Sequence, residues 1–190
     1  MFACVKQTLL IKKTFIYKEQ SVQKRQAFRQ ELLKIAPHRL VYLDEAGLAD
    51  NDPILRGYAP KAQRCYAQKS GRAKKRINFI AGLMQNKIIA PMTFEGSCDR
   101  FVFEAWLKQV LIPEIPTESV LIMDNASFHK GGNISKIVAM AGCSILYLAP
   151  YSPEDNPIEH YWPRIKNKAR QNAEYYYNFR DAVDHALVTT

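Results

Sequence analysis

Two short apolar runs, each closed by an aspartate, constrain this 190-residue chain more than any other feature. They are RLVYLD (39–44) and SVLIMD (119–124). Continuous apolar runs of this length belong to strands covered on both faces. The segments around them carry helical spacing. Phe28, Leu32 and Ile35 repeat within residues 18–36, and Pro37 stops that helix. Residues 98–111 place Val102, Trp106 and Val110 on one stripe, with Ser97 or Asp99 as N-cap and Pro113 as the stop. Residues 131–141 make a helix closed by Gly142, and CSILYLA (143–149) makes another buried strand. One more helix starts near 157, and a last one covers 177–188. Residues 62–68, 76–84 and 87–94 are expected as strands, with KSGRAKKR (69–76) as a turn between the first two. Short turns make that part antiparallel. The pattern therefore predicts an α/β fold, a mixed sheet covered by helices on both faces.

Charge narrows the partners. The formal net charge is +9, and it is unevenly spread. Residues 1–39 hold nine Lys/Arg against Glu19 and Glu31, and residues 54–93 hold nine with no acid. Two basic blocks in a mixed chain point to a polyanionic partner, although a solvated basic face has the same composition. Arg72, Lys74, Lys75 and Arg76 are the expected phosphate contacts, because phosphate binding needs charge and reach. No apolar run approaches bilayer-spanning length, and the first residues lack a small-residue cleavage site, so no membrane partner is expected. The expected location is the cytoplasm, at a bacterial nucleoid. Cys4, Cys65, Cys98 and Cys143 form no CxxC pair and read as reduced thiols.

The strand-end aspartates carry the chemistry. If the strands of Asp44 and Asp124 are parallel neighbours, their carboxylates emerge side by side at one sheet edge. Two such carboxylates repel unless they share a proton or a cation. A hard divalent cation resolves the repulsion, and magnesium favours few carboxylates completed by water and phosphate oxygens. Glu159 is the best third acid, because Pro157 suits a first helical position and places Glu159 in a rigid first turn. Glu154 and Asp155, between Pro153 and Pro157, read as turn residues, and Glu45 points away from Asp44 on its strand. A strand-end aspartate is also a common turn or cap residue, so the pattern alone leaves both readings open. Asn125 reads either as an orienting group for a metal ligand or phosphate, or as a strand-terminating turn. His129 reads as a DNA or leaving-group contact, or as a capped surface histidine. Tyr161 and Trp162, at helical spacing from Ile158 and Ile165, read as core.

The stretch LAPYSPEDNPIEHYW (148–162) resembles the insertion-sequence branch of the mariner-related transposases, of the Asp-Asp-Glu endonuclease type. VYLDEAG (41–47), a GYAP turn (57–60) and LIMDNASFHK (121–130) match the same family in order, and 34 residues separate Asp124 from Glu159. The resemblance covers about residues 12–170. It implies a ribonuclease-H-like mixed five-stranded sheet flanked by helices, with Asp44, Asp124 and Glu159 as catalytic metal ligands. It further implies two magnesium or manganese ions and DNA as substrate, both transposon ends and target. The reaction implied is cut-and-paste transposition, in which water attacks a phosphodiester and the freed 3′-hydroxyl attacks target DNA. Such a reaction asks for positioning and charge neutralisation more than for covalent chemistry.

Two features depart from the family pattern. Members carry an N-terminal helix-turn-helix region, whereas residues 1–38 resemble a basic linker and helix leading into a catalytic domain over 39–190. End recognition is then expected from a separate helix-turn-helix polypeptide or a fused product, with two copies pairing the DNA ends. Pro163 falls four residues after Glu159, where it removes a helical amide and predicts a kink or a late helix start. An alternative reading is an inactive DNA-binding or dimerising fragment that modulates an intact transposase. A stand-alone nuclease of the ribonuclease H type is the third.

Overall fold

A computed structural model describes residues 21–52, 64, 66, 75–125 and 132–190. Its frame is a five-stranded sheet in the order β3-β2-β1-β4-β5. The strands are β1 (Leu40–Ala49), β2 (Arg76–Met84), β3 (Lys87–Phe94), β4 (Val120–Met123) and β5 (Ser144–Tyr147). β1, β2 and β3 form an antiparallel meander, while β4 runs parallel to β1 and β5 parallel to β4. The expected strand at 62–68 and the GYAP turn lie outside the described residues, apart from Arg64 and Tyr66, which belong to no strand.

Alternation along the strands divides the core. Val41, Leu43, Leu121 and Met123 face one side, where they pack with Phe103, Trp106 and Ile137 from α2 (Arg100–Trp106) and α3 (Ile134–Met140). Leu48, Phe79, Ala81 and Leu83 face the other, against α4 (Trp162–Asn172) and α5 (Phe179–Val188). On that same second side, Phe28 of α1 (Val22–Leu33) packs with Ile122, Leu148 and Ala149. The sheet is thus covered on both faces, as a near-continuous apolar strand requires.

Several elements differ in extent from the sequence reading. β1 continues four residues beyond Glu45, through a stretch expected as loop. Gly47 pairs with Asn78 across the β1–β2 ladder, and a Cβ there would collide with the side chains of Asn78 and Arg76. Helix α2, capped by the Asp99 side chain onto the Val102 amide at 2.9 Å, ends early and continues as a π-helical turn over Leu107–Leu111. The helix expected from 157 starts late. Residues Pro157–His160 form a 3-10 turn, and α4 begins at Trp162 with Pro163 in its first turn. There the missing amide costs no helical bond, so no kink arises. Glu159 accordingly sits on a 3-10 turn and not in the first turn of an α-helix.

Candidate active site

The β1–β4 register pairs Leu40 with Val120, Val41 with Leu121 and Tyr42 with Ile122. Two residues further along each strand, the same offset sets Asp44 level with Asp124. Both therefore leave the sheet where β1 and β4 diverge, on the face covered by α1 and α4. A cleft of about 450 Å³ opens there, and Asp44, Asp124 and Glu159 all line it. Asn125 lines it too, as do Tyr151, Ser152 and Asn156 from the loop after β5. The three acids, distant in sequence, thus share one cavity. Among the described residues, no three acidic, histidine or cysteine side chains already stand in the arrangement of a metal cage.

Asp44 is held in a strongly perturbing environment. Burial raises its pKa from 3.8 to about 7; the Glu159 and Glu45 charges push the same way, and a hydrogen bond from Trp162 opposes them. That bond runs from the indole Nε1–H to Asp44 Oδ2 at 2.7 Å. Trp162 is core as expected, 3% exposed and edge-on to Phe79, but its polar edge also fixes the first carboxylate. Asn156 is 3% exposed; its Nδ2 donates to the Leu43 carbonyl at 3.5 Å, and its Oδ1 is buried without a partner. A buried acid near neutrality, beside a second carboxylate and an orphaned acceptor, suits a hard cation with attached water. The all-oxygen donor set fits magnesium or manganese.

Glu45 opens onto a separate hollow with Gly47, Arg76, Asn78 and Cys98, on the opposite side of its strand from Asp44. Cys98 and Cys143 are free thiols, and burial pushes Cys98 up to about 12. Of the expected DNA contacts, Lys75 and Arg76 are exposed at the start of β2, and Asn125 is exposed in the cleft. Arg72, Lys74 and His129 lie outside the described residues. Sequence reasoning missed Lys166. Burial and the charges of Arg170 and Arg76 lower its pKa, while Asp52 and Glu159 oppose the shift. Its position two helical turns after Glu159 was the available signal.

Comparison with known proteins gives the family and the fold. Residues 39–180 match the family model described as DDE superfamily endonuclease. The chain is 26% identical over 123 residues to the Tcb1 transposase of Caenorhabditis briggsae, covering 62% of this chain and 44% of that protein. In structure it resembles the catalytic domain of Mos1 mariner transposase, with a TM-score of 0.61, 14% identity, and 93% and 85% of the two chains covered. The Mos1 paired-end complex with Mn matches with a TM-score of 0.60 and 15% identity, over 94% of this chain and 64% of that one. The chain thus spans less than half the Tcb1 transposase and under two thirds of the longer Mos1 chain. The fold is ribonuclease-H-like, and the chain belongs to the DDE superfamily of endonucleases, with its similarities falling among mariner-related transposases.

Proposed function

We propose that this chain cleaves and joins DNA at transposon ends, with Asp44, Asp124 and Glu159 holding two divalent ions against the reacting phosphate. The convergence of these three acids on one cleft carries the reading. Magnesium or manganese bound there would neutralise the phosphate and activate the attacking water. The residues of the chain supply the rest. Trp162 fixes the orientation of Asp44 through its indole N–H. Asn156 leaves Oδ1 as an acceptor for a proton-bearing ligand in the cleft. A phosphate oxygen completes what the carboxylates alone do not enclose, in keeping with the preference of magnesium for substrate phosphates over an all-protein cage. The charges of Arg170 and Arg76 act on the half-buried Lys166, which also feels Glu159, and a DNA phosphate would offset that positive charge. Lys75, Asn125 and, outside the described residues, Arg72, Lys74 and His129 extend the same contact surface. Two copies each holding one end, with recognition by a helix-turn-helix polypeptide, complete the proposed assembly at the nucleoid.

The test supplies precleaved transposon-end DNA and a target plasmid with manganese and scores strand transfer. Joined product that disappears with Asp124→Ala is the expected result. Tight DNA binding by the wild type without any product would refute the catalytic reading and favour a modulating fragment. Cleavage confined to RNA–DNA hybrids would favour a ribonuclease.

A further inference from the structure

Helix α1 belongs to one of the basic blocks, yet its arginines are bound to carboxylates of the chain itself. Arg25 Nε donates to Asp155 Oδ2 at 2.9 Å, and Arg29 donates to Asp155 Oδ1 through Nε at 2.9 Å and through a terminal nitrogen at 2.6 Å. A terminal nitrogen of Arg25 also pairs with Glu154 at 2.8 Å. The Asp155 side chain is only 8% exposed, and Arg25 and Arg29 are its ion-pair partners.

Asp155 closes the 3-10 turn Pro153–Asp155, and the next residue, Asn156, is buried against the Leu43 carbonyl beside Asp44. Asn156 in turn accepts the Glu159 amide at 3.1 Å. Pro153 and Pro157 stiffen the path between them. The same helix seats Phe28 on Ile122, two residues before Asp124, and on Leu148 and Ala149 at the root of the loop. One helix therefore grips both the strand of the second acid and the segment of the third.

We propose that Arg25 and Arg29 are positioning residues: through Asp155 they hold Glu159 in place relative to Asp44 and Asp124. The proposal rests on the metal-dependent reading above. It assigns these two arginines to the loop and not to DNA. Outer contacts that orient metal ligands change metal affinity by roughly 10- to 100-fold when removed.

The test compares Asp155→Asn, which keeps the shape, and Arg29→Ala, at a half-exposed arginine, with Lys34→Ala on the same helix. Among the described residues, Lys34 pairs with Glu31 on its own exposed surface. Amide exchange at Asn156 and Glu159 reads the loop without any activity, and the manganese midpoint of strand transfer reads the site. Expected for both loop variants are faster exchange at these amides, a manganese midpoint raised roughly 10-fold, and DNA affinity within about twofold at fixed salt. Arg25→Lys, which keeps a charge on Asp155, should fall between wild type and Arg25→Ala. Unchanged exchange would overturn the proposal, as would faster exchange with an unmoved midpoint. A loss of DNA affinity with a shallower salt dependence in Arg29→Ala would overturn it by placing that arginine on DNA. A wild type without strand transfer would refute the enzyme reading and, with it, the catalytic half of this one, whereas the exchange result stands separately.

Discussion

Replacing Asp44 with asparagine should stabilise the metal-free protein at neutral pH while abolishing its chemistry. The carboxyl titrates at about 7 in the fold against 3.8 ordinarily, chiefly because it is buried. A group raised in this way favours folding while it stays protonated. That contribution is complete below the unfolded value, declines as pH rises, and is gone once pH passes about 7. The gap corresponds to about 4 kcal/mol at 1.36 kcal/mol per pH unit, an upper figure because water reaches the cleft. Asp44→Asn keeps an oxygen for the Trp162 indole and removes the charge. In urea titrations with chelator present, its stability relative to wild type should climb by about 1.4 kcal/mol per pH unit between pH 5 and 7 and then level off. Magnesium or manganese should stabilise the wild type and leave the variant unmoved. A stability difference that is flat from pH 5 to 7 would refute the reasoning, as would a variant less stable than wild type at pH 8.

Trp162→Phe removes the indole donor from Asp44 and should cost about 1 to 3 kcal/mol in chemical denaturation. It should also move the pH midpoint of metal-dependent activity upward, because that bond lowers the Asp44 pKa. Glu159→Gln should eliminate strand transfer in both metals while leaving metal-free DNA affinity intact, as read by gel shift with chelator; retained activity in manganese would remove Glu159 from the ligand set. Gly47→Ala pushes a methyl group against the ends of the Asn78 and Arg76 side chains, which can swing aside, and should destabilise by no more than about 1 kcal/mol, measurable as a small drop in urea midpoint. Lys166→Ala should weaken DNA binding uniformly across sequences and reduce the slope of log affinity against log salt by about one.

Much of the fold was legible because its information is local. Apolar runs ending in Asp44 and Asp124 marked two buried strands, and the parallel register of Leu40 with Val120 supplies the neighbourhood that the runs alone left as a condition. What local pattern could not supply came from distant pairings. Gly47 and Ala49 look like loop residues until Asn78 and Arg76 arrive across the ladder. The cavity shared by Glu159 and the aspartates depends on a 3-10 turn whose geometry follows from Pro157 at its start and Pro163 beyond it. Apolar spacing identified Trp162 as core but not as the donor to Asp44, since periodicity carries no information on where a polar edge points. Asp155 read as a turn residue between prolines. Its second role needs Arg25 and Arg29, more than a hundred residues away.

The same distance effect changes what the charge of +9 means. Counted along the chain, residues 1–39 and 54–93 look equally disposed to meet a polyanion. In the fold, the described cations of the first block largely have partners within the protein. Arg25 and Arg29 hold Asp155, Lys34 holds Glu31, and Arg39 donates to the Glu118 carbonyl. Beside the cleft Lys166 is half-buried, and burial first, then the charges of Arg170 and Arg76, lower its pKa against the opposing pull of Asp52 and Glu159. Basic side chains that already face carboxylates release little free energy on meeting a phosphate, whereas mutually repelling ones gain an ion pair and lose a repulsion. Under the proposed function, attraction for DNA should therefore concentrate where β2 and α4 flank Glu159, next to the cleft that would receive the phosphate. The acids of the cleft would repel that phosphate, and a divalent ion held between them would turn the repulsion into attraction, so DNA affinity at the cleft should rise with metal in the wild type and stay flat in Asp44→Asn.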